Sequence, residues 1–176
     1  MTLDTVNPPI IMGRFVKSWP IPVGESWIMT SNGLVYDFLN GIDTPFKQKR
    51  ILQVHLPTLA RAHVLALTAP PASKVGRKRL LIAGDYFTWA ELAEHLREVR
   101  PELGDRIAKY EDTARWGKED PLAAAFDTKR AQEVLSIEAL PGWKQVLVEV
   151  VDDILRIEAE WKQQGWKRPD TYKNPY

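Results

Sequence analysis

One segment constrains the fold more than any other: residues 50–67, with the sequence RILQVHLPTLARAHVLAL. Ile51–His55 is a short apolar run of the length typical of a buried strand. Pro57 follows at once, in a position that suits the first turn of a helix. A small apolar face then recurs at helical spacing, formed by Leu59, Ala62, Ala66 and Ala69. The segment therefore predicts a strand followed directly by a helix that packs closely against a sheet.

Similar patterns predict the other elements. Residues 3–6 predict a strand that stops at Pro8 and Pro9, because proline lacks the N–H that a ladder needs. Residues 14–25 show no clear hydrophobic period and contain Pro20, Pro22 and Gly24, which disfavour regular structure. This pattern indicates a loop. Further strands are predicted at residues 10–12 and 79–83. Helices are predicted from Ser31-Asn32 to Asn40-Gly41, from a Thr88–Glu91 capping box to Val99, from Asp127 to Leu135, and from Trp143 to Trp161.

Composition excludes several classes of function. The chain has 176 residues, of which 44% are hydrophobic, enough for one domain with a real core. Its formal net charge of +1 gives no electrostatic case for nucleic acid. The sequence has no cysteine, which excludes disulfides and a thiol nucleophile and fits a reducing compartment. No apolar run reaches the length of a membrane helix, and His55, His63 and His95 lack metal-ligand spacing. We therefore expect a cytoplasmic protein with no nucleic-acid, membrane or metal partner.

Six sequence blocks occur in an order that resembles a known family. They are NPPIIMG (7–13), TSNGLVYDFLNG (30–41), VHLPTLARAHVLAL (54–67), residues 79–103, DTKRAQEVLSI (127–137) and the last amphipathic helix. Together they resemble the C-terminal, substrate-binding half of extended short-chain dehydrogenases/reductases, in the NAD-dependent epimerase/dehydratase superfamily. Ketone or aldehyde, cinnamoyl-CoA and dihydroflavonol reductases are the most similar members. Pro57 and Thr58 replace two acids that are usual in the family, and Ser136 replaces a frequent glycine.

The resemblance implies a fold and a division of the chain. The expected fold is α/β, with a partial Rossmann-type sheet edge and a mostly helical substrate-binding lobe. Residues 1–164 correspond to the substrate-binding half, and residues 165–176 form a C-terminal tail.

The resemblance also implies contacts with the cofactor, which would be NADP or NAD. Pro8, Pro9 and Ile10 match positions that lie against the nicotinamide, and Ser31 and Asn32 match a helix start that borders both cofactor and substrate. Each assignment has a structural alternative. The prolines are also explained as a strand terminator, and Ser31 and Asn32 as a helix cap.

Tryptophan and aspartate supply the remaining candidates. Seven tryptophans are many for this length. Trp19 and Trp27 fall in the irregular segment that would roof the substrate pocket, which suits an aromatic or otherwise apolar carbonyl substrate. Asp152 and Asp153 are adjacent on a helix and point about 100° apart, so we interpret them as a solvated face rather than a carboxylate pair.

The chemistry of the family needs parts that this sequence lacks. It contains no Gly-x-x-Gly-x-x-Gly turn for a pyrophosphate and no Tyr followed four residues later by Lys, so no catalytic residue is assigned. One hypothesis is an NAD(P)-dependent reductase of ketones or aldehydes in secondary metabolism, completed by a separate N-terminal Rossmann half or by the rest of a longer gene product. The alternative is a truncated, non-catalytic relative that binds a small apolar ligand or a partner protein, or that self-associates through an exposed sheet edge. A stand-alone enzyme of another chemistry would need a site that no motif indicates.

Overall fold

Five short strands form two small sheets in the computed structural model, which describes residues 5–41, 50–107, 126–137 and 140–168. The strands are β1 (Thr5–Asn7), β2 (Ile10–Met12), β3 (Ile51–His55), β4 (Arg79–Leu81) and β5 (Tyr86–Phe87). β1 pairs with β4 in parallel, while β2 and β3 are parallel and β5 runs antiparallel to β3. The prolines at positions 8 and 9 separate β1 from β2, as predicted, because neither can donate to a ladder.

Helices make up most of the remaining structure. They are α1 (Gly33–Leu39), α2 (Leu56–Thr68), the one-turn α3 (Ala72–Val75), α4 (Trp89–Val99), α5 (Lys129–Leu135) and α6 (Trp143–Gln163). Two 3₁₀ segments are also present: Ser26–Asn32 directly precedes α1, and Pro101–Leu103 follows α4. The predicted capping box is confirmed: the Thr88 hydroxyl accepts from the Glu91 N–H, and the Glu91 carboxylate accepts from the Thr88 N–H at 2.7 Å. No described helix is both long enough and apolar enough to cross a bilayer.

The larger core lies between the three-stranded sheet and helices α1, α4 and α6. α6 contributes the face predicted from its 3–4 spacing, in which Val146, Leu147, Val150 and Ile154 are fully buried. Aromatic rings fill the space between α4 and α6: the Phe87 ring stacks on Trp143 at 5.8 Å and meets Trp89 edge-on at 5.5 Å. This core forms the interior of the helical lobe.

A second, smaller core lies on the β1–β4 sheet. α2 and α5 cover it with Leu59, Ala62, Val134 and Leu135, and Val6 and Leu80 face them from the paired strands. The small side chains on α2 allow the close helix–sheet packing that the sequence predicted. The chain is therefore an α/β protein with partial Rossmann-like sheets and a helical lobe, which confirms the expected fold class.

Several local features differ from the sequence predictions. The strand β5 and the Ser26–Asn32 3₁₀ segment were not predicted, and β4 ends two residues earlier than expected. The one-turn α3 was likewise not predicted, and Lys78, which follows it, is only 5% exposed. The predicted start of the first strand at Leu3 lies outside the described residues.

Candidate ligand-binding site

A cavity opens where the parallel strands β2 and β3 both end. Met12 and His55 are register partners at these carboxyl ends, and Gly13 and Leu56 continue the chain into the cavity wall. The cavity has a volume of about 360 Å³. Its apolar wall is formed by Ile11, Met12, Phe15, Val16, Ile28 and Leu56. Crevices at the carboxyl ends of parallel strands are the usual ligand sites of open α/β sheets, so the position itself favours a binding role.

Close backbone approach shapes the floor of this cavity. A Cβ at Gly13 would lie 2.9 Å from the Leu56 Cβ, and the Gly13 φ of +154° is one that other residues rarely adopt. Glycine thus lets the end of β2 lie directly against the start of α2.

One polar edge interrupts the apolar wall, formed by Thr30, Ser31 and Asn32. The Asn32 side chain is committed to the backbone of Gly13: its Nδ2 donates to the carbonyl oxygen at 2.6 Å, and its Oδ1 accepts from the N–H at 3.3 Å. Asn32 is the N-cap residue of α1, but its side chain makes no capping hydrogen bond. Asn32 instead ties the start of α1 to the end of β2.

Thr30 and Ser31 both keep an available hydroxyl on this edge, and Ser31 is the less exposed of the two. It is half-buried, and no described residue hydrogen-bonds its hydroxyl. The preceding Thr30 has φ 49° and ψ −122°, a conformation that β-branched residues rarely adopt. The sequence carried no signal for this backbone geometry.

The irregular segment between β2 and the first 3₁₀ segment is held at two points by α6. The Asp153 carboxylate accepts from the Phe15 N–H at 2.8 Å and from Arg156, and the Trp161 indole donates to the Ile21 carbonyl at 3.1 Å. Asp153 is only 7% exposed, so its interpretation as part of a solvated face is wrong. Its burial depends on a contact between residues 138 positions apart, which helical periodicity does not show.

The two predicted pocket tryptophans occupy different places. Trp19 lines the cavity mouth beside Val16, and the two side chains are 58% and 66% exposed. Trp27 is 54% exposed and lies outside the cavity wall, where its indole donates to the Glu25 carboxylate. The structure thus brings Trp19, Ser31 and Asn32 together and leaves Trp27 apart from them.

The predicted nicotinamide contacts lie upstream of the cavity. Pro8 is exposed and Pro9 half-buried at the break between β1 and β2, and Ile10 packs on the larger core. Ile11 is the first residue of this strand to reach the cavity, roughly 7 Å beyond Pro9 at extended spacing. None of Pro8, Pro9 and Ile10 lines the cavity, so their assignment as cofactor contacts stays a prediction.

The cavity-lining residues have no ionisable side chain among them. His55 lies next to the cavity, but its Nε2 faces Glu149 of α6 at 3.3 Å. Within the described chain, no group of three or more His, Asp or Glu residues is placed to hold a metal ion. The lining residues can therefore bind and orient a ligand, but they supply no acid or base near neutral pH.

A second groove adjoins the cavity across Phe15. It has a volume of about 180 Å³ and is lined by Arg14, Lys17, Asp152, Asp153 and Arg156. Arg156 lies between Asp153 and Glu160, and hydrogen bonds to both hold the pKa of its guanidinium above the usual range despite partial burial. This groove is charged but nearly balanced in sign.

Asp37 on α1 is a described acid whose pKa is raised. Burial raises the pKa of its carboxyl from 3.8 to about 6. The folded protein therefore holds this proton more tightly than the unfolded chain does. The contribution of the protonated carboxyl to the free energy of unfolding is complete below about pH 4 and is lost as the pH rises through about 6. Asp37 does not line the cavity.

Comparisons with known proteins show which folds are similar. No protein-family profile and no curated protein sequence matches this chain. Among solved structures, the yeast methylglyoxal/isovaleraldehyde reductase in complex with NADPH aligns with a TM-score of 0.68 at 20% identity, over 90% of this chain and 44% of that one. Vestitone reductase from alfalfa aligns with a TM-score of 0.58 at 17% identity, over 90% and 45%. A nucleoside-diphosphate-sugar epimerase from Pseudomonas aeruginosa gives 0.58 at 16%, over 86% and 47%.

This chain thus spans less than half of each of these structures while most of it aligns with them. At this level of identity the likeness concerns the fold, which this chain shares with part of two reductases and a sugar-nucleotide epimerase.

Proposed function

We propose that this chain forms the substrate pocket of an NADP(H)-dependent oxidoreductase that reduces aldehydes or ketones. The observation that carries the proposal is the largely apolar cavity at the carboxyl ends of β2 and β3, in a fold shared with reductases. NADP(H) is proposed over NAD(H) because the yeast and Candida albicans reductase structures that share the fold contain NADPH.

The chemistry divides between this chain and polypeptide outside its 176 residues. The cofactor supplies hydride when bound. A Tyr-x-x-x-Lys pair and a Gly-rich loop, which this sequence lacks, would supply the proton and hold the pyrophosphate. The residues of this chain bind the apolar body of the substrate, orient its oxygen and exclude water from the reaction centre.

The edge of the β1–β4 sheet supports an additional polypeptide. Among the described strands, β1 and β4 pair only with each other, so each keeps one edge without a strand partner. Unpaired parallel edges favour the addition of a further strand. We therefore place either a separate Rossmann half, or the remainder of a longer protein, against this edge. Self-association of this chain through the same edge is the other arrangement.

The experiment that tests the proposal is purification of the native assembly. A tag at the end of the open reading frame that encodes this sequence would recover whatever polypeptide completes the protein, on the same chain or on another. The assembly is then assayed for NADPH oxidation with a panel of ketones and aldehydes. The proposal expects a Gly-rich loop, a Tyr-x-x-x-Lys and carbonyl-dependent oxidation. An assembly with none of the three would overturn it.

Two tryptophans provide a matched test of the pocket. Trp19→Ala removes an apolar side chain from the cavity mouth, whereas Trp27→Ala removes an equally exposed side chain outside the cavity. We expect Trp19→Ala to raise KM about 5- to 30-fold with a smaller change in kcat, as expected for partial loss of aromatic contact area. Trp27→Ala is expected to match the unmodified protein. A larger rise in KM for Trp27→Ala than for Trp19→Ala would contradict the assignment of this cavity as the substrate pocket.

A non-catalytic binding protein is the second candidate. The absence of an ionisable residue from the cavity wall favours it, because ligand binding requires none. It would bind a small apolar molecule or a partner protein. A native assembly that binds an apolar ligand but neither binds nor oxidises NADPH would favour this candidate over the reductase.

A further inference from the structure

The cavity wall has a distribution of polarity that restricts what can occupy it. Eight of its residues are apolar or glycine, three are polar, and none is charged. Transfer of a charged group from water into such an environment is unfavourable unless a partner or a hydrogen-bond network compensates it. The cavity therefore disfavours a ligand whose charge lies inside it.

The three polar residues are not equivalent. Both polar atoms of the Asn32 amide already bond the Gly13 backbone, so this side chain holds the wall together. Thr30 also lines the cavity, but it is exposed, so water competes for its hydroxyl. The half-buried Ser31 hydroxyl has no hydrogen-bond partner among the described residues and forms part of the wall. A ligand oxygen that accepts from the Ser31 hydroxyl would give a hydrogen-bond partner both to the hydroxyl and to itself.

The adjoining charged groove does not provide a strong anion site. Arg14 and Lys17 are both exposed to water, and they share the groove with the carboxylates of Asp152 and Asp153, which pair with Arg100 and Arg156. Arg156 is already divided between Asp153 and Glu160. A carboxylate that extended from the cavity past Phe15 would meet only these two exposed cations, whose attraction for it is screened by water and salt. Electrostatics in the groove therefore give little compensation for a charged ligand.

We propose that the cavity selects an uncharged, largely apolar ligand that directs one hydrogen-bonding oxygen to the Ser31 hydroxyl. The inference rests on the proposed function, since it defines the substrate class of the same site. The volume of about 360 Å³ equals roughly a dozen water volumes at about 30 Å³ each, which fits a small aryl or branched alkyl carbonyl compound. The ligand also covers the exposed Trp19 at the mouth.

Three probes of nearly equal size separate charge from hydrogen bonding. They are 4-phenylbutan-2-one, which is neutral with one oxygen, 3-phenylpropanoate, which is nearly isosteric and anionic, and butylbenzene, which has no oxygen. Binding to the purified chain is measured without cofactor by titration of amide chemical shifts. We expect the ketone to bind at least 10-fold more tightly than the carboxylate.

Substitution of Ser31 tests the hydrogen bond. Ser31→Ala is expected to weaken ketone binding about 3- to 10-fold, the range of one neutral hydrogen bond, and to leave butylbenzene within about 2-fold. Ser18→Ala, an exposed serine outside the cavity wall, serves as the matched control and is expected to change neither ligand. The comparison of ketone with carboxylate on the unmodified chain stands even where Ser31→Ala fails to fold.

Each opposing outcome has a definite meaning. Equal or tighter binding of the carboxylate would overturn the neutral-ligand inference and assign Arg14 and Lys17 to the ligand. An unchanged preference for ketone over butylbenzene in Ser31→Ala would overturn the role of Ser31. Failure of all three probes to bind would overturn the whole inference. Because these titrations use no NADPH, they fail or succeed separately from the reductase assay on the native assembly.

Discussion

Replacement of Asp153 is expected to loosen one wall of the cavity, and its neighbour Asp152 provides the control. Asp153→Ala removes the acceptor of the Phe15 N–H, at a cost of about 1–3 kcal/mol for a poorly compensated donor. It also removes an ion pair with Arg156, whose side chain is 44% exposed, so this pair adds less than about 1 kcal/mol. We expect a total loss of about 1–4 kcal/mol, or roughly 2–16 °C in Tm.

Asp152→Ala breaks an ion pair with Arg100 in which the Asp152 side chain is 41% exposed. We expect a loss of no more than about 1 kcal/mol from this surface pair. Urea unfolding measures both values, and hydrogen exchange at the Phe15 amide reports the local effect. Exchange at Phe15 should accelerate in Asp153→Ala only, and this variant should also bind 4-phenylbutan-2-one more weakly. Equal destabilisation by the two substitutions, with unchanged exchange at Phe15, would refute the proposed attachment of the wall to α6.

Three further predictions concern stability. Asp37→Asn should raise the free energy of unfolding by about 1–3 kcal/mol at pH 7–8, because burial raises the Asp37 pKa to about 6. The gain should vanish below about pH 4, where the carboxyl is protonated in both states. Urea unfolding across pH tests this, and a gain that does not depend on pH would contradict it. Glu158 is 2% exposed and bonds Arg106 through both oxygens at 2.8 Å, so Glu158→Ala should cost about 3–5 kcal/mol. Joint replacement of Glu158 and Arg106 by methionine should cost less than Glu158→Ala, and chemical denaturation that ranks the two the other way would contradict a buried-charge penalty. Ser136 has φ 50° and ψ 40°, so Ser136→Gly should gain about 0.5–1 kcal/mol, and a lower Tm in thermal melting would oppose this reasoning.

Local sequence signals were sufficient for most of the elements. The capping box of α4 needs only Thr88 and Glu91, and the burial of α6 follows from the period of its apolar residues. The succession of β3 and α2 follows from a short apolar run and Pro57. These signals act over a few residues, where backbone sterics and helix spacing decide the outcome.

Features that depend on distant contacts could not be predicted in this way. β5 is only two residues long and exists because Tyr86 and Phe87 pair with β3. Asp153 looks like half of a solvated acidic pair, yet the Phe15 N–H on a distant segment makes its burial favourable. The close packing of Gly13 against Leu56 likewise depends on a residue that is distant in the sequence.

The candidate site was predicted in part. Trp19, Ser31 and Asn32 reach one cavity, but Asn32 has a structural task that the resemblance did not indicate. Phe15, Val16 and Ile28 were not singled out, because Phe15 and Val16 lie in irregular backbone and Ile28 in a 3₁₀ segment that no hydrophobic period predicted. Pro8, Pro9 and Ile10 stay predictions as cofactor contacts.

The most direct test of the binding-site assignment is the location of a bound ligand. Backbone amide shifts of the purified chain are mapped during titration with 4-phenylbutan-2-one. We expect saturable shifts concentrated at residues 11–19 and 28–32 and at Leu56, with Trp27 nearly unaffected. Saturable shifts that centre on another surface, or the absence of saturable shifts up to the solubility limit of the ketone, would contradict the assignment of this cavity as the ligand site.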